Sequence, residues 1–407
     1  MLFSGFLRIS FGSPSNILRI CFEYAPNLSG EIKAYIKTML LFYFAMLHFG
    51  KYSVSLHHKL QLQQMEQKQN LLGMTLAEII ESVAELNLPK FTAKQIADWI
   101  YLKRVKSIDE MSNISLKNRE ILAEKYDIGR SEPLDVKTSV DGTRKMLFRT
   151  TGGKFIETVT IPEEDRLTIC VSSQVGCRMN CDFCMTGKQG FHDNLTATEI
   201  LNQVYSVPDS EQITNLVFMG MGEPLDNYKQ VKKASELLMA DYGLAWSPKR
   251  ITLSSIGLAS NLKRFLDESK CHLAISLHNP IPEQRLAIMP IEKSAPITSV
   301  IEMLRNYDWS HQRRLSFEYI MFDGVNDSLL YARELMKLLA GLDCRINLIR
   351  FHVIPMSNLR PSTNENMVKF RDFLTAKGFI STIRASRGED IFAACGMLST
   401  TKIGETK

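Results

Sequence analysis

The chain has 407 residues, 45% of them hydrophobic and 23% charged, which is the make-up of a folded protein of two or three domains and not of a disordered or low-complexity one. Its longest charge-free run, Thr38–Gly50, is well short of the ~20 apolar residues that a membrane-spanning helix needs. Of the formal charge of +5, the first 64 residues carry +4; from Met65 onward 43 basic residues face 42 acidic ones, so global charge is no argument for nucleic-acid binding.

Residues 1–64 are rich in Phe, Leu and Tyr, poor in acids, and hold no sustained period. We expect this atypical extension to be disordered or untranslated, with Met65 as the true initiator; the alternative is a targeting or membrane-surface segment. Residues 65–133 read as a small helical accessory domain. Thr75 and Glu78 form a capping box ahead of an apolar stripe of Ile79, Ile80, Val83 and Leu86, and Pro89 stops that helix. A second helix is expected from Thr92 to about Arg104, and a third over Leu116–Tyr126. Lys90, Lys94, Lys103, Arg104 and Lys106, with Trp99 and Tyr101 interleaved and Asp98 as the single acid, make either a phosphate-contacting face or an ordinary solvated one.

Residues 134–162 alternate as short linking strands with turns at Asp141-Gly142 and Gly152-Gly153. From 163 to 400, apolar runs at 167–172, 213–219, 250–254, 272–277, 316–322, 345–351 and 379–384 are separated by helical stretches near 196–207, 227–240, 257–268, 297–306, 327–340 and 364–377. Such alternation predicts a parallel α/β sheet, and the lack of a dinucleotide-binding glycine fingerprint favours a partial (β/α)6-type barrel over an open doubly wound sheet. Chemistry is then expected at the C-terminal ends of the strands. Residues 401–407 read as a tail.

Eight cysteines are too few for a secreted disulfide scaffold of this length, and no secretory signal is evident, so a reducing, cytoplasmic setting is expected. Three of them, Cys177, Cys181 and Cys184, follow the first barrel strand in C-x3-C-x2-C spacing. Structural zinc takes four protein ligands, and no fourth follows nearby. A [4Fe-4S] cluster on three thiolates leaves one iron open, able to chelate the amino and carboxylate groups of S-adenosylmethionine and deliver one electron.

The triad resembles the radical S-adenosylmethionine signature. Val171-Ser-Ser-Gln-Val-Gly-Cys177, Thr186-Gly-Lys-Gln-Gly-Phe191, Met219-Gly-Met-Gly-Glu-Pro224 and Ala394-Cys-Gly396 together resemble the RNA adenine methyltransferases of the RlmN/Cfr family, over residues ~70–400. The resemblance, closer to the RlmN branch, implies methylation of carbon 2 of adenosine 2503 in 23S rRNA and of adenosine 37 in certain tRNAs. It implies one [4Fe-4S] cluster per chain on Cys177, Cys181 and Cys184, two molecules of S-adenosylmethionine per turnover, and an electron donor such as flavodoxin or ferredoxin. Nothing in the sequence suggests an obligate dimer, so a monomer with no membrane partner is expected. Cys395 then matches the cysteine that is methylated and linked transiently to the RNA, Cys170 the cysteine that resolves the link as a disulfide, and Glu157 the proton acceptor. Gly222, Glu223, Ser254, Ser276, Leu277 and His278 match cofactor contacts at successive strand ends. His352 stands where many relatives carry Asn, and Met185 where they carry a small residue. Cys21, Cys271 and Cys344 are expected to be small hydrophobes. The alternatives are carbon-8 methylation of the same rRNA base, or a non-enzymatic iron–sulfur or zinc module that binds RNA and senses redox state.

Overall fold

The computed structural model describes residues 68–310 and 314–400. The expectations for residues 1–64, for Cys21 and for the tail at 401–407 concern residues outside that set. Among the described residues no helix is long and apolar enough to cross a membrane.

The first part is helical, framed by a parallel bridge between β1 (Gln69–Asn70) and, after the helices, β2 (Tyr126–Asp127). Helix α1 (Leu76–Glu85) starts at the Thr75–Glu78 capping box and buries Ile79 and Val83. Ile80 is half exposed, because at 100° per residue it rotates out of the stripe. Helix α2 (Thr92–Ala97) does not run on as α-helix to Arg104; it widens into a π-helical turn over Asp98–Leu102. That turn buries both Ile100 and Tyr101. The Tyr101 hydroxyl accepts from Gly73 N at 3.1 Å and donates to Met74 O at 2.6 Å, so this ring is a core anchor and not part of a surface stripe. Trp99 does remain partly outside, with Lys103 Nζ 3.4 Å above its ring. Helix α3 (Leu116–Lys125) closes the unit.

The segment expected as a linker is a wall of the main sheet. Strands β3 (Asp135–Thr138), β4 (Arg144–Arg149) and β5 (Phe155–Glu163) form an antiparallel meander, and β5 pairs antiparallel with β6 (Arg166–Cys170). A side hairpin of β7 (Gln174–Gly176) and β8 (Phe191–Asn194) brackets the short helix α4 (Met185–Gln189). Parallel pairing then continues from β6 through β9 (Asn215–Phe218), β10 (Ile251–Ser255), β11 (His272–Ser276), β12 (Leu315–Met321), β13 (Arg345–Arg350) and β14 (Ile380–Ile383). The sheet has ten strands in the order β14-β13-β12-β11-β10-β9-β6-β5-β4-β3 and stays open. It is the expected partial barrel, carried one parallel strand further by β14. All seven residues of β12 are buried, as a central parallel strand requires.

Helices α5 (Ala197–Ser206), α6 (Tyr228–Met239), α7 (Ala259–Glu268), α8 (Pro282–Ile288), α9 (Ile297–Arg305), α10 (Leu329–Leu339) and α11 (Asn364–Ala376) connect the strands. One apolar cluster joins all of these but α8, whose Ile288 packs in a second cluster, to the sheet and to the helical unit. Here Tyr101 meets Tyr205 of α5 edge-on, ring centroids 6.3 Å apart.

Candidate active site

The cysteine triad lies in the loop that β7 and β8 hold at its base. Cys177 N donates to Gly190 O at 3.1 Å, and Gly176, at φ 73°, lies so close that a Cβ there would be 1.7 Å from the same carbonyl oxygen. Asp182 N donates to Ile288 O of α8, fixing the far side. The bed is apolar: Met179, Phe183, Ile256, Ile288, Phe322 and Phe351. Burial raises all three thiols, Cys177 to about 12; Cys177 and Cys181 are raised further by others of the triad, and Cys184 by Cys395. Three anions in such a bed need a strongly cationic partner. Among the described residues no three His, Cys, Asp or Glu side chains converge as ligands of one metal ion. The donor chemistry of three thiolates is that of an iron–sulfur cluster.

Two further thiols meet at this end of the barrel. Cys170 ends β6 and is pushed up to about 12, first by burial and then by the nearness of Cys395. Cys395 is exposed and lies near enough to raise Cys184 as well. Both are free thiols. Arg384, just past β14, is the cation beside them: it lowers Cys170 and contacts Met219 Sδ and Glu318 Oε2, both at 3.4 Å.

Two fastenings hold the loop that carries Cys395. Thr186 Oγ1 donates to Leu398 O at 2.8 Å, and Gln189 exchanges bonds with Thr400. On the other side Gly388 N donates to Asp141 Oδ2 at 2.9 Å, and Asp390 accepts from Ser139 Oγ and Val140 N of the β3–β4 turn. That turn exists because Asp141-Gly142 reverses the chain, Gly142 at φ 83°.

Glu157 is buried, not a surface glutamate. Its Oε1 is 2.9 Å from Lys145 Nζ and its Oε2 accepts from Ser399 N at 2.9 Å. Burial raises its pKa, and Lys145 opposes that rise. It lines a cavity of about 390 Å³ shared with Lys137, Lys145, Met185, Val353 and Phe392.

The expected cofactor contacts occupy the same end of the barrel in different ways. Gly222 (φ 98°) approaches Gln174 so closely that a Cβ would lie 2.5 Å from that side chain. Glu223 is buried; it accepts from Ser255 Oγ, Ile256 N and Leu225 N, and burial pushes it up to about 7. Ser254 is half-buried beside Ser255, on the alternate face of β10. Ser276 and Leu277 offer their carbonyls to Arg285, both at 2.9 Å. His278 sits at φ 55°, its ring 4.8 Å from Phe183, its Nδ1 accepting from Ile320 N; burial lowers its pKa to about 3, so the ring is neutral. His352, where a cofactor contact was expected, has both ring nitrogens on the C-terminal segment: Nε2 is 3.1 Å from Ser386 Oγ and Nδ1 is 3.3 Å from Glu389 Oε1. Lys145, Ser255, Arg285 and Arg384 went unnoticed in the sequence, since none belongs to a motif and each acts only through long-range packing. Cys271 and Cys344 are buried, as small hydrophobes are.

Residues 171–336 match the radical SAM superfamily, and residues 69–128 match the ribosomal RNA large subunit methyltransferase N-terminal domain. The probable dual-specificity RNA methyltransferase RlmN of Phocaeicola vulgatus is 63% identical over 335 residues, 82% of this chain and 96% of that one. The chain belongs to the RlmN family of dual-specificity RNA methyltransferases. A more distant relative, the dual-specificity RNA methyltransferase RlmN of Syntrophus aciditrophicus, is 41% identical and is covered over 98% of its length. Among solved structures, a radical SAM methyltransferase from Sphaerobacter thermophilus superposes with a TM-score of 0.78 at 38% identity, covering 81% of this chain and 99% of that one. Membership of the RlmN family implies a [4Fe-4S] cluster and S-adenosylmethionine, and the buried triad fits the first of these.

Proposed function

We propose that this chain methylates carbon 2 of unpaired adenine in RNA, at adenosine 2503 of 23S rRNA and adenosine 37 of certain tRNAs, through a methyl group carried on Cys395. The observation that carries the reading is the placement of Cys395 beside both Cys170 and Cys184. A ring carbon of adenine is a poor nucleophile, so an ordinary methyl displacement is not open to it. Cys177, Cys181 and Cys184 would hold a [4Fe-4S] cluster, which would supply the single electron for cleavage of S-adenosylmethionine. One cluster per chain and two cofactor molecules per turnover are needed, because Cys395 must be methylated first.

The protein's own residues do the rest. Gly222, Glu223, Ser254 and the Ser276–His278 strand end line the place for the cofactor, and Glu223 is an acceptor for its ammonium. The cavity beside Glu157 takes the flipped base and keeps water away. Glu157 accepts the proton from the ring carbon. Once the adduct has given its unpaired electron to a one-electron acceptor, the Cys170 thiolate attacks the Cys395 sulfur. The S–S bond forms as the bond from that sulfur to the transferred methylene carbon breaks; the carbon keeps the bonding pair and takes a proton to become the methyl group. An external dithiol later reduces the disulfide. Lys90, Lys94 and Lys103, exposed on the helical unit, supply phosphate contacts. An electron donor of the flavodoxin or ferredoxin type, a monomeric state and a cytoplasmic setting complete the proposal.

Nucleoside mass spectrometry of rRNA and tRNA from a strain lacking the gene tests it. 2-Methyladenosine should vanish from both RNAs, return with the wild-type gene, and stay absent with Cys395→Ala. Finding 8-methyladenosine as the missing product would overturn the carbon-2 assignment.

A further inference from the structure

Lys145 belongs to no motif, yet it joins two parts of the catalytic apparatus. In the β4–β5 ladder Leu147 pairs with Glu157 and Lys145 with Val159. Lys145 and Glu157 are thus diagonal neighbours on one face of the sheet. The ammonium stands 2.9 Å from Glu157 Oε1, and the two side chains are only 12% and 9% exposed. The same ammonium donates to the Phe392 carbonyl at 3.1 Å, three residues before Cys395. Ser399, four residues after Cys395, donates its N–H to the other oxygen of Glu157. One ion pair therefore grips the Cys395 loop from both ends. Phe392 itself holds φ 55°, a conformation bulky L residues avoid, so the segment is kept in place by its surroundings.

We propose that Lys145 is a positioning residue for methyl transfer, which keeps Glu157 ionised until the base arrives and holds the Phe392–Cys395 segment against it. This rests on the reading of Glu157 as proton acceptor. Burial favours the neutral acid; Lys145 opposes it, with Ser399 N–H and, at longer range, Lys137 of β3 on the same side. Asp135 and Asp390 are the other acidic residues that line the cavity. In the proton step a Glu157 oxygen takes the proton from the ring carbon bonded to the Cys395 methylene. The C–H electron pair stays with the ring, and Lys145 keeps its own proton.

The test uses the cluster-loaded enzyme as wild type, K145M and K145R, with single-turnover release of methylated RNA followed from about pH 6 to pH 9. K145M should release product at least ~10-fold more slowly at neutral pH, the lower end of what a mis-tuned general base loses. Its acid limb should move to higher pH, so that the deficit narrows in alkali, and K145R should restore most of the rate. Methylation of Cys395, read by intact mass, should be unchanged in K145M. A K145M profile superimposable on wild type, or a deficit equal at every pH and not relieved by Arg, overturns the proposal. Lack of methylated Cys395 in the wild-type enzyme would instead sink the underlying reading. Should K145M fail to fold, the E157Q background decides. K145Q/E157Q is expected to be no slower than E157Q alone, and a further loss there rules the proposal out.

Discussion

The backbone N–H of Met185 donates to the carbonyl oxygen of Gly396 at 2.8 Å, joining the residue after Cys184 to the residue after Cys395. Gly396 takes this position at φ 83°, where a Cβ would lie 2.9 Å from Phe183 O. Left-handed backbone and a close carbonyl together leave room for glycine alone. Gly396→Ala should therefore cost about 1–3 kcal/mol of local strain. The Cys395 loop, whose own φ is the strained one, should yield before Phe183 does, so iron content should hold while methylation drops steeply. Iron analysis beside single-turnover methylation checks this, and parallel loss of both would count against a separable loop.

Glu223 carries a pH dependence that can be given a sign. Burial raises its folded pKa to about 7 from an ordinary value of 4.5, so the folded state binds the extra proton between those values. Its contribution to stability is then fully present below about pH 4.5 and is lost as pH rises toward 7, roughly 3 kcal/mol in all. In the cofactor-free protein, melting temperature should fall across that window, and Glu223→Gln should remove this part of the slope. A ligand ammonium favours the ionised form, so affinity for S-adenosylmethionine should weaken below about pH 7 in the wild type and vary less in the variant. Calorimetric titration at several pH values reads both arms.

Much of this fold was legible because the signals were local. The helical stretches expected near 196–207 and 364–377 are Ala197–Ser206 and Asn364–Ala376 in the structure, since an amphipathic stripe and a Thr cap act within one element. The cysteine triad was legible because its three members lie within eight residues, so one loop brings them together. Tyr101 was misread as a surface ring because only the π-helical turn, set by tertiary packing, rotates it inward. Ser255 was passed over for Ser254 because a strand's period says that neighbours face opposite ways but not which of them meets Glu223. Lys145 was invisible for a similar reason: its partner is fixed by the hairpin register.

The thiol pair predicts a division of labour. Cys395→Ala removes the proposed methyl carrier, and Cys170→Ala the thiol proposed to resolve the link; each should abolish methylated product. They differ in what they leave behind. With Cys170→Ala the RNA–protein adduct should accumulate and survive denaturing electrophoresis, whereas Cys395→Ala should give none. Adduct in the Cys395 variant would place the link on another residue.

Arg384 bears on the same step. It lowers the otherwise strongly raised Cys170 thiol and is anchored by Glu318, whose Oε1 also accepts from Asn347 Nδ2 at 2.8 Å. Arg384→Met should slow the resolving step, with adduct building up transiently, and a more alkaline buffer should relieve part of the deficit. A pH-independent deficit would mean that Arg384 matters for packing alone.

Arg285 predicts a stability effect coupled to cofactor binding. It is fully buried, paired with Glu292, and donates to the carbonyls of Ser276 and Leu277, while Glu292 also accepts from Ile297 N. The pair thus ties α8 and the start of α9 to the end of β11, where the cofactor contacts are proposed. Replacing Arg285 with Met leaves a buried carboxylate without its cation and two carbonyls without donors, a loss of about 3–5 kcal/mol. The double variant Arg285→Met/Glu292→Gln should regain part of that stability, because no uncompensated charge remains. It should not regain affinity for S-adenosylmethionine, because the strand end stays untethered. Denaturant melts of both variants beside calorimetric titration with the cofactor separate the two effects. Equal recovery of stability and affinity in the double variant would show that Arg285 balances a charge and positions nothing.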